Sequence, residues 1–340
     1  MNKLFVVICV LFLNVWVGSA QINLDTASFY TLFKQQKFDG ENIVAIGEAH
    51  TIRNTYGTEF FICKNLFEKG YKTIYIEFGE AEAAILNMYM TTGDSSVIKY
   101  TMSKWWNAAF YKEFLKPAYQ LNKAKGYNIA FKGFDFERPI SVGFLFSKWF
   151  GDAKIKDIDL KKLSNRLLAM DEFKVRKNLT TLAKTMDGLK ISFTENESAY
   201  KEILKDNLEL FKKIIFNPVT AYNARDENFV KKILDAEKNG QLTKAIIITG
   251  NHHLLFKKNF IPVLADKLPE KYSITVFPFL YSNCLNKNGN KMYSSLKRYL
   301  KYLSGQKILT PLIKFTKPKQ AIIVSRRNNV SAVLVELYNQ

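Results

Sequence analysis

The chain of 340 residues holds three histidines, and all three stand where an apolar run gives way to polar residues. IVAIGEAH ends in Glu48 and His50, TIYIEFG supplies Glu77, FKGFDFE supplies Asp135, and IIITGNHH ends in Asn251, His252 and His253. An imidazole beside a carboxylate can take a proton from water near neutral pH, with the carboxylate fixing the ring tautomer. Glu48 and His50 are two apart, so extended backbone points both the same way. Two histidines and two carboxylates, Glu48, His50, Glu77 and His253, would equally suit a divalent ion such as Zn or Mn. Each residue also has a plain structural role: a strand-end glutamate caps a helix or joins an ion pair, and a lone histidine packs. The joint placement of Glu48, His50, Glu77 and His253 favours function, whereas for Asp135 the two readings weigh the same. His252 and His253 are adjacent and do not easily enter one cleft together. His253 is the choice and His252 the runner-up.

These residues need a scaffold that gathers them. Ile43 to Ile46, Thr73 to Ile76, Tyr127 to Lys132, Ala245 to Thr249 and Ser273 to Phe279 read as strands. Between them, Tyr56 to Glu68 reads as a helix with Phe60, Cys63, Leu66 and Phe67 on one face and a stop at Gly70, and Ala81 to Met90 as another. Strand and helix in alternation predict an α/β fold, a mainly parallel central sheet flanked by helices. In such sheets ligands bind beyond the carboxyl ends of the strands. Near-continuous apolar strands are buried on both faces, so a charged residue at the tip either meets a partner or faces a cleft. From about Phe146 to Lys238 the pattern is helical and rich in lysine and glutamate, with Pro218 its single proline. This predicts a helical insertion at about residues 146–240, placed over the site or beside it. Ala321 to Arg326, Asn328-Asn329 and Ala332 to Leu337 predict a C-terminal β-hairpin.

The first twenty residues carry one early lysine, an apolar run from Leu4 to Val17 and small residues at Gly18, Ser19 and Ala20, the pattern of a secretory signal peptide cleaved before Gln21. The run is shorter than the roughly 20 residues of a spanning helix, and Cys9 lacks the small residues a lipoprotein site places ahead of its cysteine. Residues 21–340 then form a single exported domain, periplasmic or secreted, with no stable membrane insertion. Cys63 and Cys284 remain, enough for one bridge or two buried thiols and too few for a disulfide scaffold. The net charge of +19 is spread along the chain rather than blocked. Dispersed lysines read as a solvated basic surface, and the aromatics follow core periodicity, so nucleic acid is not an expected partner. The expected partner is a small-molecule substrate. No G-x-S-x-G elbow, P-loop, G-x-G-x-x-G fingerprint or H-E-x-x-H pair occurs.

At IGEAH, GTEFF, GYKTIYIEFGEAEAAILNMYM, KGFDFE, AYNARDENFVKKIL and IIITGNHHL, in that order over about residues 43–256, the sequence resembles the erythromycin esterase-like family. The wider superfamily includes ChaN-like haem-binding lipoproteins and Tiki metalloproteases. The resemblance implies a hydrolase that opens an ester or lactone without a covalent intermediate and without a required cofactor. It also implies site residues Glu48, His50 as the activator of water, Glu77, Arg225 and His253. Arg225 enters through the resemblance alone; it could stabilise an oxyanion, or form an exposed ion pair of little energetic value. Three departures stand out. The esterases usually place one more residue between the glutamate and histidine of GEAH; Gly250 stands where they have a histidine; and TIRNTY replaces a shorter, glycine-bearing turn. Two other readings follow from the same superfamily: a metal-dependent hydrolase or peptidase with Glu48, His50, Glu77 and His253 as ligands, or a non-enzymatic binder of haem or another apolar ligand. The latter would use aromatics such as Trp105, Trp106, Phe110 and Tyr111.

Overall fold

The computed structural model describes residues 41–48, 55–101, 108–155, 158–170, 175–217, 225–255, 260–281, 312–313, 322–327, 330–333 and 335–337. The expected signal peptide, His50, Trp105, Trp106 and Cys284 lie outside the described residues. Five strands form the centre: β1 (Glu41–Glu48), β2 (Thr73–Ile76), β3 (Ala130–Gly133), β6 (Ala245–Gly250) and β7 (Tyr272–Tyr281). The short β4 (Lys154–Ile155) and β5 (Ile158–Asp159) make a separate antiparallel pair. The central order is β3-β2-β6-β1-β7, and every pairing in it is parallel. Beyond β7 come β10 (Val330–Val333), β9 (Ile322–Arg327) and β8 (Leu312–Ile313), while β11 (Val335–Leu337) lies along the far end of β7. β9 and β10 are antiparallel, the expected C-terminal hairpin. The α/β class and the parallel sheet are as the apolar runs predict.

Alternate side chains of the strands feed two apolar layers, as the period of two requires. On one face, Val44, Ile46, Ile74, Ile76, Ile246 and Ile248 meet α1 (Thr55–Phe67) and α2 (Glu80–Thr92). On the other, Ile43, Ala45, Tyr75, Ile247 and Val276 meet α9 (Arg225–Lys238) and α11 (Phe260–Lys267) through Phe229, Ile233, Phe260 and Leu264. The buried face of α1 is Tyr56, Glu59, Ile62, Cys63 and Leu66, spaced three and four apart, and Phe60 is only partly buried. Three of the four expected residues, Cys63, Leu66 and Phe67, are buried, and the buried face also takes in Tyr56 and a glutamate. Cys63 is a buried free thiol whose pKa burial raises.

The third strand begins at Ala130 rather than Tyr127. α3 (Lys116–Lys125) ends at Gly126 with φ 64°, and Asn128 follows at φ 58°, so extended backbone cannot start earlier. β3 is the outermost of the central strands. Its outward amide edge at Phe131 is covered from α2, where Asn87 Nδ2 donates to the Phe131 carbonyl at 2.8 Å and Asn87 Oδ1 accepts the Phe131 N–H at 2.7 Å. One carboxamide thus substitutes for a neighbouring strand at that residue.

Between β3 and β6 run α4 (Pro139–Phe150), α5 (Leu160–Leu168), α6 (Val175–Glu195), α7 (Glu197–Leu204), α8 (Leu208–Ile215) and α9. The β4–β5 pair interrupts a stretch in which the sequence pattern shows no strands. Phe146, Phe150, Phe193, Tyr200 and Phe211 form an aromatic core here, with Phe150 and Phe211 centroids 5.6 Å apart and Tyr200 stacked on Phe211 at 5.2 Å. α4 and α8 pack on α2, so among the described residues this part lies against a helical layer at the side of the sheet.

The close approach of β3 to the start of α2 depends on absent side chains. A Cβ at Gly133 would overlap the carbonyl of Gly79, and one at Gly79 would overlap Glu137. Backbone cannot yield as a flexible side chain does. Gly133→Ala is expected to destabilise the protein by about 1–3 kcal/mol, seen as a Tm several degrees lower by calorimetry; an unchanged Tm would contradict the packing.

Candidate functional site

Register alone brings the tips of three strands together. Glu48 pairs with Gly250 and Ile76 with Ile248, and the ladder continues as the Glu77 N–H donates to the Ile248 carbonyl at 3.1 Å and the Asn251 N–H to the Glu48 carbonyl at 3.1 Å. Because β6 inserts between β1 and β2, residues nearly two hundred positions apart stand side by side at one sheet edge.

Glu77 is the hub of the side chains there. Its Oε2 accepts the Gly250 N–H at 2.6 Å and the Thr249 hydroxyl at 2.7 Å. Its Oε1 accepts from Arg225 Nη2 at 2.7 Å and lies 3.7 Å from His253 Nε2. Arg225 also forks onto Asp135, with Nε to Oδ1 at 2.9 Å and a second, shorter bond from Nη2 to Oδ2. Its guanidinium lies over the rings of Phe136 and Phe229, 5.3 and 5.2 Å from their centroids. The exposed ion pair weighed for Arg225 is not what forms, because its side chain is 14% exposed. Asp135 is 1% exposed; burial pushes its carboxyl above the usual carboxylate range, against the pull of Arg225.

His253 turns into this cluster on the short α10 (His252–Leu255), whereas His252 is exposed. His253 Nδ1 is 2.6 Å from Asp226 Oδ1, without the alignment of a directed hydrogen bond. The other oxygen of Asp226 accepts the N–H of Phe260 at 3.1 Å, tying the first turn of α11 to α9. Glu77, Arg225 and His253 are thus brought together, with Asp135, Asp226 and Thr249 around them. Glu48 joins them at backbone level and is 7% exposed.

Asp226, Thr249 and two further carboxylates escape the sequence reading. Glu137 closes the start of α2, where Oε1 accepts the Glu80 N–H at 2.8 Å and Oε2 the Ala81 N–H at 3.0 Å. Asn217 Nδ2 donates to Glu137 Oε1 at 2.6 Å and to the Asp135 carbonyl at 2.8 Å. Burial pushes the Glu137 carboxyl up to about 7. After β3 the FDFER segment divides: Phe134 enters the core, Asp135 and Phe136 both meet Arg225, Glu137 closes α2, and Arg138 Nε lies 3.0 Å from Glu82. The second carboxylate is Glu59, fully buried on α1 with, among the described residues, no hydrogen-bond partner for either oxygen. Burial first, then the charges of Glu48 and Glu113, raise its pKa well above the ordinary value. The GTEFF string contains it, and its position three and four residues from Ile62 and Cys63 is the one signal that it faces inward.

Among the described residues no three of histidine, cysteine, aspartate and glutamate make a metal-binding group. Glu77 in particular has both oxygens engaged by donors of the chain. Of the ligand set expected for Zn or Mn, Glu48, Glu77 and His253 form no metal-binding group by themselves, and His50 lies outside the described residues. Phe110 and Tyr111, offered as lining for an apolar ligand, belong to the core: Phe110 is 1% exposed and stacks on Phe114 at 5.3 Å.

No family model and no curated protein matches this sequence. Solved structures do. A Bacillus cereus protein is 16% identical over 95% of this chain and 96% of its own, with a TM-score of 0.51. A succinoglycan biosynthesis protein is 13% identical over 94% and 93%, with a TM-score of 0.54. A mutant of the erythromycin esterase EreC in its open conformation is 15% identical over 76% and 75%, with a TM-score of 0.47. At these identities the first two define a shared fold and nothing narrower. The chain thus shares the α/β fold of these two structures.

Glu59 provides a test of the site's electrostatics. Its folded pKa lies above the unfolded one, so the fold accommodates the neutral acid; the resulting stability is full below the ordinary value of about 4.5 and is lost as pH rises towards the raised value. Glu59→Gln is neutral at every pH. Its Tm is expected to exceed that of the parent chain at about pH 7–8 and to converge with it near about pH 4; a difference independent of pH would show that Glu59 is not held protonated.

Proposed function

We propose that this chain is an exported hydrolase of the erythromycin esterase-like type that cleaves an ester or lactone with activated water. The observation that carries the reading is the Glu77–Arg225–His253 network at the strand tips beside Glu48. A charged cluster fixed by backbone donors, a guanidinium fork and two aromatic rings is preorganised, so little reorganisation is needed when charge develops. It is also within reach of solvent, with His253 13% and Glu77 10% exposed. Motif resemblance assigns the remaining role to His50, which follows Glu48 by two residues.

In this mechanism His50 takes a proton from water while Glu48 orients the ring. The water oxygen bonds to the carbonyl carbon, and the oxyanion that forms is stabilised by Arg225, whose position Glu77 and Asp135 fix. Collapse breaks the bond to the leaving oxygen, which takes the proton back from His50. The products are an acid and an alcohol, joined in one molecule if the substrate is a lactone. His253, set between Asp226 and Glu77, supports the charge of the second carboxylate and bounds the cleft.

A panel of esters and lactones offered to the mature chain is expected to include at least one that is turned over. His50→Ala should then lower kcat by about 10²–10⁴-fold with the circular dichroism spectrum unchanged. Failure of the whole panel, or full activity in His50→Ala, would refute the proposal. Prior treatment with a chelator is expected to leave turnover intact, because in this reading His50 and Glu48 activate the water by themselves; loss of activity restored by Zn or Mn would favour the metal reading.

A further inference from the structure

A cavity of about 540 Å³ opens on the outer flank of β3, between α2, α8 and α9. None of Glu48, Glu77, Asp135, Arg225 or His253 lines it. Four lysines do: Lys132 from β3, Lys213 from α8, and Lys231 and Lys232 from α9, against two carboxylates, Glu80 and Asp235. The Glu80 carboxyl feels Lys232, Lys213 and Lys132 together, so one acid is shared among three ammonium groups. Lys132 is held by Gln241 Oε1 at 2.9 Å and by the Tyr75 ring, 5.6 Å away, and its pKa is lowered by burial and then by the charge of Lys213. Lys232 Nζ is fixed on the Asp135 carbonyl at 3.1 Å. Like charges gathered into one concavity focus a positive potential that only an anion relieves.

Asn228 and Asn217 also stand in the wall and are only 8% and 3% exposed. The lining also has an apolar part, Phe131, Phe134, Leu210 and Phe216, beside the polar Asn87, Asn239 and Gln241. Phe216 is 52% exposed, one of two large apolar side chains so open among the described residues.

We propose that this cavity binds a small organic anion, an apolar body bearing a carboxylate or a phosphate, with Lys132 and Lys213 receiving the charged group and Phe216 covering the body. The volume is that of a metabolite-sized ligand. The site stands apart from the hydrolase reading, since none of the cleft residues enters it.

Calorimetric titration of the mature chain with benzoate, phenyl phosphate and inorganic phosphate tests the proposal. Benzoate or phenyl phosphate is expected to bind saturably with Kd below about 1 mM, and whichever of the two binds more tightly identifies the head group. The double variant Lys132→Gln/Lys213→Gln should weaken that binding at least tenfold while keeping its own Tm. Lys190→Gln/Lys201→Gln, on α6 and α7 away from the cavity, should leave it unchanged. No saturation by any probe at about 10 mM, or equal affinity in the Lys132/Lys213 variant, would overturn the site. Inorganic phosphate binding as tightly as phenyl phosphate would overturn the role given to the apolar lining.

Discussion

A carboxylate at the tip of a buried strand must be satisfied, and the arrangement around Glu77 follows from that necessity. An unpaired buried charge is costly enough that proteins neutralise or pair it. Glu77 is paired three ways, by the backbone of β6, by the Thr249 hydroxyl and by the guanidinium of Arg225. Two of the donors are adjacent residues of β6, placed by strand register, and the third stands at the start of α9. Arg225 carries a second carboxylate, Asp135, and so fastens α9 to the ends of both β2 and β3. Losing Arg225 would leave two acids in a low-dielectric cleft, which makes it the structural pin of the site whatever its part in chemistry.

The same logic recurs one layer away. Glu137 and Glu82 close the N-terminal end of α2, where Glu82 Oε2 accepts the Gly79 N–H at 3.2 Å. Asn217 then links Glu137 to the Asp135 carbonyl and so joins the helical region after β3 to the cleft. The carboxylates after β2 and β3 thus divide into Glu77 and Asp135, which hold Arg225, and Glu82 and Glu137, which close the N-terminal end of α2.

Much of the scaffold was legible because parallel strands are buried on both faces and read as unbroken apolar runs. The tips were legible for the same reason: polarity returns where burial ends. That places Glu77 and His253 at the carboxyl edge without any knowledge of strand order. What could not be read is contact that register creates. Thr249 meets Glu77 only because Ile76 stands opposite Ile248, and Asp226 meets His253 only through the docking of α9 on α11. Arg225 itself was visible through motif resemblance, since an arginine at the head of an amphipathic helix looks like a surface residue. Glu59 escaped the pattern, for a charged residue in a helix stands out as inward-facing only when its neighbours at three and four positions are counted. The displaced start of β3 has a local cause, the left-handed backbone at Asn128, which composition does not announce.

The carboxamide of Asn87, seated on the Phe131 backbone, bears on how copies of this protein can meet. An outermost parallel strand with free N–H and C=O groups is a template on which a neighbouring chain can add its own strand. Here that template is already occupied at its middle by a side chain from the same molecule, over a strand of only four residues. Edge-to-edge self-association along this flank is thereby discouraged by construction, and the lysines nearby add charge repulsion to the same end.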